Sequence, residues 1–476
     1  MNPPFPCGCL PPPIVSRREM LRRSGLGLGS MALAWLLGQE GRLLAADSRP
    51  ALPLPARGPA KNIILLHMGG GVSQVDSFDP KPALKKYAGK SVPESIAAAI
   101  PKGNMRLRTA NLLPSHWEFS QHGQSGIPVS TLFPEMAKRV DDLCVIRSMR
   151  HDSPIHTPAD YLTLTGSLTG QRPSLGSWFA YGLGSENQNL PAFITMQTGE
   201  NFSGPALWAS GFLPPEFQGT DVKGALGIAD IALPAGVTPR QRRAQLDLMA
   251  ALNRQHLERV GAHDELEARI RSYEMAFRMQ TAAPEAFDLK GESAATRQLY
   301  GLEEKESADF GANCLLARRL VERGVRFVQL IGAGWDAHSD IRDNHTKQAR
   351  IVDRPIGGLL ADLKARGLLE STLVVWGGEF GRTPTVEGDV KKPGRDHNPA
   401  GYTIWLAGGG VKGGQIIGAT DDMGYTVVDS PVHPNDLQAT LLHAFGLDQH
   451  ALWYEHSGRK EILTDLGGEI VKQVFA

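Results

Sequence analysis

Five short segments of this sequence combine hard oxygen ligands with imidazoles. MGGGVSQVDSFDPKP carries Asp76 and Asp79, and MRHDSPIHTPADYLTLTG carries His151, Asp152, His156 and Thr157. AGWDAHSD carries Asp336, His338 and Asp340, GGEFGRTP carries Glu379, Arg382 and Thr383, and GRDHNPAG carries Asp396 and His397. Oxygen and imidazole donors without thiolates suit zinc, manganese, magnesium or calcium better than a soft metal. Taken singly, each segment has a plainer reading. Asp-Ala-His is also a surface turn, a lone histidine is commonly a satisfied core residue, and Gly-Gly serves any tight turn. Their recurrence beside apolar runs makes them a candidate metal site.

Those runs are the elements that must position them. NIILLH (Asn62–His67), LCVIRS (Leu143–Ser148), AFITM (Ala192–Met196), VRFVQLIG (Val325–Gly332), TLVVWG (Thr372–Gly377) and YTIWLAG (Tyr402–Gly408) are continuously apolar, as strands covered on both faces are. Helical patterns lie between them. In TKQARIVDRPIGGLLADLKARG, Val352, Ile356, Leu359, Leu360 and Leu363 follow the 3.6-residue period, with Gly367 as a stop; PNDLQATLLHAFG opens on Pro434 and closes on Gly446. The expected fold is α/β, with a mostly parallel central sheet and helices on both faces. Open sheets of this kind bind ligands beyond the carboxyl ends of their strands, and four of the five segments follow a strand. The charged, helix-forming stretch at about 237–278 reads as a helical insertion.

The chain has 476 residues and a formal charge of zero, so its bulk electrostatics give no reason to expect nucleic acid as a partner. Four cysteines, two of them at positions 7 and 9, exclude a disulfide framework. SRREMLRR, with Arg17 and Arg18, precedes a weakly apolar Gly-rich core and small residues at Ala45 and Ala46, the pattern of a twin-arginine export signal. Residues 1–46 are therefore expected to be a signal peptide and 47–60 a Pro-rich linker. Residues 61–476 then form one domain. Without the first 46 residues, 45 basic and 48 acidic residues remain, a charge of −3. The expected location is the periplasm or the exterior, reached through the Tat translocase, with no stable membrane span in the mature chain.

GGGVSQVDSFDPKP, GWDAHSD, GGEFGRTP, DHNPAGYTIWLAGGGVKGG, DLQATLLHAFGLD and the closing SGRKEILTDLGG occur in an order that resembles the domain-of-unknown-function 1501 family, abundant in planctomycete-type bacteria. That family in turn resembles the alkaline phosphatase, sulfatase and nucleotide-phosphodiesterase superfamily. The resemblance implies an alkaline phosphatase/sulfatase-like sandwich. It places Glu379 in a metal-ligand slot, offers Asp336 and His338 to the other metal, and matches His397 to the late ligand histidine. Asp76 would reach back toward the end of the first strand, where the superfamily has aspartates and this sequence has Gly69 and Gly70.

A second departure falls on the nucleophile. Sulfatases place a Cys or Ser ten residues before the Gly of a Leu-Thr-Gly ending; counting back from Gly166 gives His156, then Thr157 and Pro158, with Asp160 where Arg is expected. Formylglycine chemistry is thereby excluded. Three alternatives stand: Thr157 as an activated alkoxide, His156 as ligand or nucleophile, or a site that binds without catalysis. The expectation is an exported hydrolase of phosphate or sulfate esters on small molecules or carbohydrates. Asp336, His338 and His397 would hold one divalent cation, Asp76 and Glu379 would hold a second or shape its shell, and Arg382 would clamp the anion, with Gly377 and Gly378 leaving room for the substrate. The alternative is an exported binding protein with a remnant site. A cofactor-bearing redox protein is a weaker third, since GGGVSQ is not a dinucleotide fingerprint.

Overall fold

The structure, a computed structural model, describes residues 58–98, 109–199, 202–224, 227, 233, 236–260 and 264–476. The expected signal peptide and most of the linker lie outside them. Residues Ala51–Ala476 form one compact unit. Its centre is an eight-stranded sheet of β1 (Asn62–Gly69), β2 (Leu143–Met149), β3 (Phe193–Thr198), β4 (Thr220–Val222), β5 (Phe327–Ala333), β6 (Thr372–Gly377), β7 (Tyr402–Ala407) and β8 (Gln415–Ile417), in the order β8-β2-β7-β6-β1-β5-β3-β4. The six apolar runs are its six longest strands; the short edge strands β4 and β8 lack such a signature.

β1 pairs in parallel with β5 and β6, and only β7 runs antiparallel, against β2 and β6. Along β1, Ile64, Leu66 and Met68 enter the core on one face, while Ile63 and Leu65 enter the core on the other. This two-residue alternation lets both faces bury apolar side chains. On the second face helices α1 (His156–Thr165) and α2 (Leu175–Leu183) contribute Leu164, Trp178 and Phe179. The 237–278 stretch forms α3 (Pro239–Val260) and most of α4 (Asp264–Phe287), tied by a two-pronged pair from Arg243 to Glu274. The end of α4 buries Met279, Ala283 and Phe287 in the first core, beside α5 (Ala308–Glu322) and α6 (Ile341–Ala365). α6 starts earlier than its apolar period shows, at Ile341, behind an N-cap Asp340 that takes a left-handed φ of 50°. α7 (Pro434–Ala444) closes the second face.

The reversed direction of β7 brings distant segments together. Its beginning lies at the edge where β1, β5 and β6 end, so residues just before it meet residues just after them. A ribbon of Gly381–Arg382 against His397–Asn398 completes this edge, with His397 opposite Arg382.

Candidate metal centre

Four side chains converge beyond the carboxyl ends of the sheet: His156 from the first turn of α1, Asp336 and His338 after β5, and His397 from the ribbon. His338 Nε2 and His397 Nε2 lie 2.9 Å apart. Asp336 Oδ1 is 3.0 Å from the first and 3.2 Å from the second. His156 Nε2 lies 3.3 Å from Asp336 Oδ2 and is buried without a hydrogen-bond partner.

The other nitrogen of each imidazole is committed. His156 Nδ1 donates to Glu379 Oε1 (2.6 Å), His338 Nδ1 to Glu387 Oε2 (2.6 Å) and His397 Nδ1 to the Pro154 carbonyl (2.6 Å). Carbonyls and carboxylates can only accept, so the proton sits on Nδ1 and each neutral ring turns a lone pair inward at Nε2. Three lone pairs and a carboxylate facing one another favour a positive charge among them. An imidazole whose second nitrogen is held by an oxygen acceptor is also how metal-binding histidines are oriented. The donor set therefore fits a divalent cation of the zinc or manganese type.

Electrostatics agree with this. Burial opposes the charge on Asp336, but the His156 and His397 imidazoles facing it and the Arg382 guanidinium hold its carboxyl far below the usual range. His156 is pulled down by burial and raised to about 9 by Asp336 and Glu379. In the metal-free centre a proton on His156 partly answers the negative field that a cation would occupy.

The remaining predicted residues lie elsewhere. Glu379 is fully buried and receives the Gly70 N–H (2.9 Å) as well as His156, so it orients a ligand. Asp76 is outside the centre: it is buried against Arg395 at 2.7 and 3.2 Å and accepts from Ser73 Oγ (2.6 Å). Arg382 is buried and donates to Asp336 Oδ1 (2.5 Å) and to the carbonyls of Gly70, Gly71 and Arg395. With those donors engaged it is a brace for Asp336, and the anion clamp expected of it does not fit its surroundings. Thr157 Oγ1 donates to the Phe202 carbonyl (3.4 Å) and makes no hydrogen bond to the centre. The glycines serve backbone packing, not substrate space. Gly70 has φ +108°, and a Cβ there would lie 2.5 Å from Asp336 N; one on Gly378 would lie 2.6 Å from Met68 O.

Sequence reasoning missed a chain beneath the centre. His67 Nε2 pairs with Asp160 Oδ1 (2.8 Å), and Ser203 Oγ donates to Asp160 Oδ2 (2.5 Å). Glu379 Oε2 lies 3.9 Å from His67 Nε2. His67, Asp160 and Glu379 are a second group of close-set ligand types, but His67 and Asp160 already bond one another. Burial works against the His67 charge, and the adjoining carboxylates nevertheless raise its pKa. A histidine ending the apolar run NIILLH, and an aspartate one turn after His156, were the available signals.

Residues 60–475 match the family described as "Protein of unknown function (DUF1501)". No curated protein matches the sequence. Among solved structures, the lipoteichoic acid synthase LtaP from Listeria monocytogenes is similar at 8% identity and a TM-score of 0.37, covering 86% of this chain and 78% of its own. The PsFucS1 sulfatase from Pseudoalteromonas sp. has 13% identity, a TM-score of 0.33 and coverage of 89% and 76%. The alkaline phosphatase from the Antarctic bacterium TAB5 has 11% identity, a TM-score of 0.31 and coverage of 82% and 99%.

Proposed function

The chain belongs to the DUF1501 family across residues 60–475, and we propose that it is an exported, metal-dependent hydrolase of phosphate or sulfate esters that works without formylglycine. One observation carries this reading: three imidazole Nε2 atoms and the Asp336 carboxylate face one another, each ring locked through its Nδ1. A divalent cation bound there supplies Lewis acidity toward the transferring group and neutralises its charge. His156, Asp336, His338 and His397 would hold it. Glu379, Glu387 and the Pro154 carbonyl keep each ring proton on Nδ1, and Arg382 fixes Asp336 from one side. The side chain of His338 is 41% exposed, which gives a small-molecule or carbohydrate ester a route to the centre. We assign the attacking oxygen to water, because Thr157 bonds the Phe202 carbonyl and both His156 nitrogens face carboxylates. The twin-arginine pair supports export.

A non-catalytic exported binding protein is the second reading. The commitment of Arg382 to carbonyls and Asp336 favours it, since no other guanidinium was expected to grip an anion.

Metal analysis of protein purified without chelators, followed by an ester panel, separates them. The hydrolase reading expects about one equivalent of cation, lost in a His338→Ala, His397→Ala double variant, and turnover of a phosphate or sulfate ester. Metal without turnover across the panel selects the binding protein. Wild type without metal would end the hydrolase reading.

A further inference from the structure

Two of the large apolar side chains left in water flank His156. Ile155, its chain neighbour, is 62% exposed, and Phe202 is 52% exposed. The Phe202 ring is stacked on the His156 imidazole, with centroids 4.5 Å apart and planes 14° apart. Its position is fixed from several directions. Thr157 donates to its carbonyl, and the next residue, Ser203, is buried and bonded to Asp160. Asp160 in turn pairs with His67 at the end of β1. The buried chain the chemistry does not use therefore anchors the segment that carries Phe202. A rigid aromatic ring held half in solvent, next to a ligand of the reacting centre, is a preorganised surface for another flat apolar face.

We propose that Phe202 forms the subsite for the leaving group, and that the substrates are esters whose leaving group carries a ring with an apolar face. This rests on the hydrolase reading above. Two sources share that chemistry, an aryl ring and the C–H face of a pyranose. An aliphatic ester without a ring would meet only the metal centre.

The test is binding of phenyl phosphate, a pyranose 1-phosphate and methyl phosphate, and of the corresponding sulfates, to the metal-loaded protein by calorimetry. Wild type, Phe202→Ala and Phe202→Tyr are compared. The expected result is a preference for at least one ring ester over the methyl ester, reduced roughly tenfold in Phe202→Ala and recovered in Phe202→Tyr. Whether the phenyl or the pyranose ester shows the larger loss identifies the ring. An unchanged ratio in Phe202→Ala overturns the subsite and leaves the hydrolase reading standing, with Phe202 a cover for His156. If metal-loaded wild type binds no ester of either kind, both fall together.

Discussion

His338 and His397 turn their Nε2 atoms to one another at 2.9 Å while each donates its Nδ1 proton to an oxygen. Neither ring has a proton left for the other in its neutral form. Two lone pairs at that distance repel unless a positive charge lies between them, and Asp336 Oδ1 lies within reach of both.

The acceptor behind His338 is therefore expected to tune the centre without building it. Glu387→Gln keeps an oxygen for Nδ1 but removes its charge. Metal affinity should fall by about 10- to 100-fold, measured by competition with a chromogenic chelator. His338→Ala should instead abolish stoichiometric binding. Equal affinities for wild type and Glu387→Gln would mean the His338–Glu387 contact has no part in metal binding.

Asp76 gives the opposite signature. Its carboxylate and the Arg395 guanidinium are both fully buried, so removing one partner strands the other. Asp76→Ala should lose about 3–5 kcal/mol of stability in denaturant unfolding, while the folded fraction retains its metal content. Loss of metal from a still folded variant would return Asp76 to the ligand set.

Thr157→Val separates an alkoxide mechanism from attack by water. Removing a true nucleophile costs several orders of magnitude in turnover, on the order of 10³ or more. Because Thr157 serves here as an anchor for the Phe202 carbonyl, a change of less than about tenfold is expected in kcat for a phosphate or sulfate ester. A near-complete loss with metal still bound would reinstate the hydroxyl.

His345 predicts how acid unfolds the protein. Burial lowers its pKa to about 3, with the Asp76 carboxylate only partly opposing this. Nε2 accepts the Ser73 N–H (3.1 Å) and Nδ1 faces Asn344 Oδ1 (3.1 Å), so the ring is held neutral. The folded-state pKa lies below the unfolded value near 6.5. The unfolded chain therefore binds the extra proton first, and stability present above about pH 6.5 drains away as the pH falls toward about 3. Between about pH 7 and 4.5 this amounts to about 2–3 kcal/mol. His345→Gln should show a shallower pH dependence in urea unfolding; an identical slope would acquit the residue.

The sheet was legible because doubly covered strands must be apolar throughout, and NIILLH, TLVVWG and YTIWLAG are. The direction of the last was not legible, since an apolar run looks the same read parallel or antiparallel. The ligand types were legible too, but not their partners. Asp76 and Asp336 look alike in sequence, and only the fold reveals that Arg395 meets one and that His338 and His397 meet the other. His67 stayed hidden because a single polar residue at the end of a buried strand carries no period of its own.

The two-residue ribbon that sets His397 opposite Arg382 has a consequence for how this protein tolerates change in length. Side chains on a strand alternate between faces, so a slip of one residue turns His397 away from Asp336, whereas a shift of two restores its side. A change between Thr383 and Asp396 that is absorbed by the loop leaves His397 in place, whereas one that shifts this pairing by one residue would turn the imidazole out of the centre without altering any strand of the main sheet.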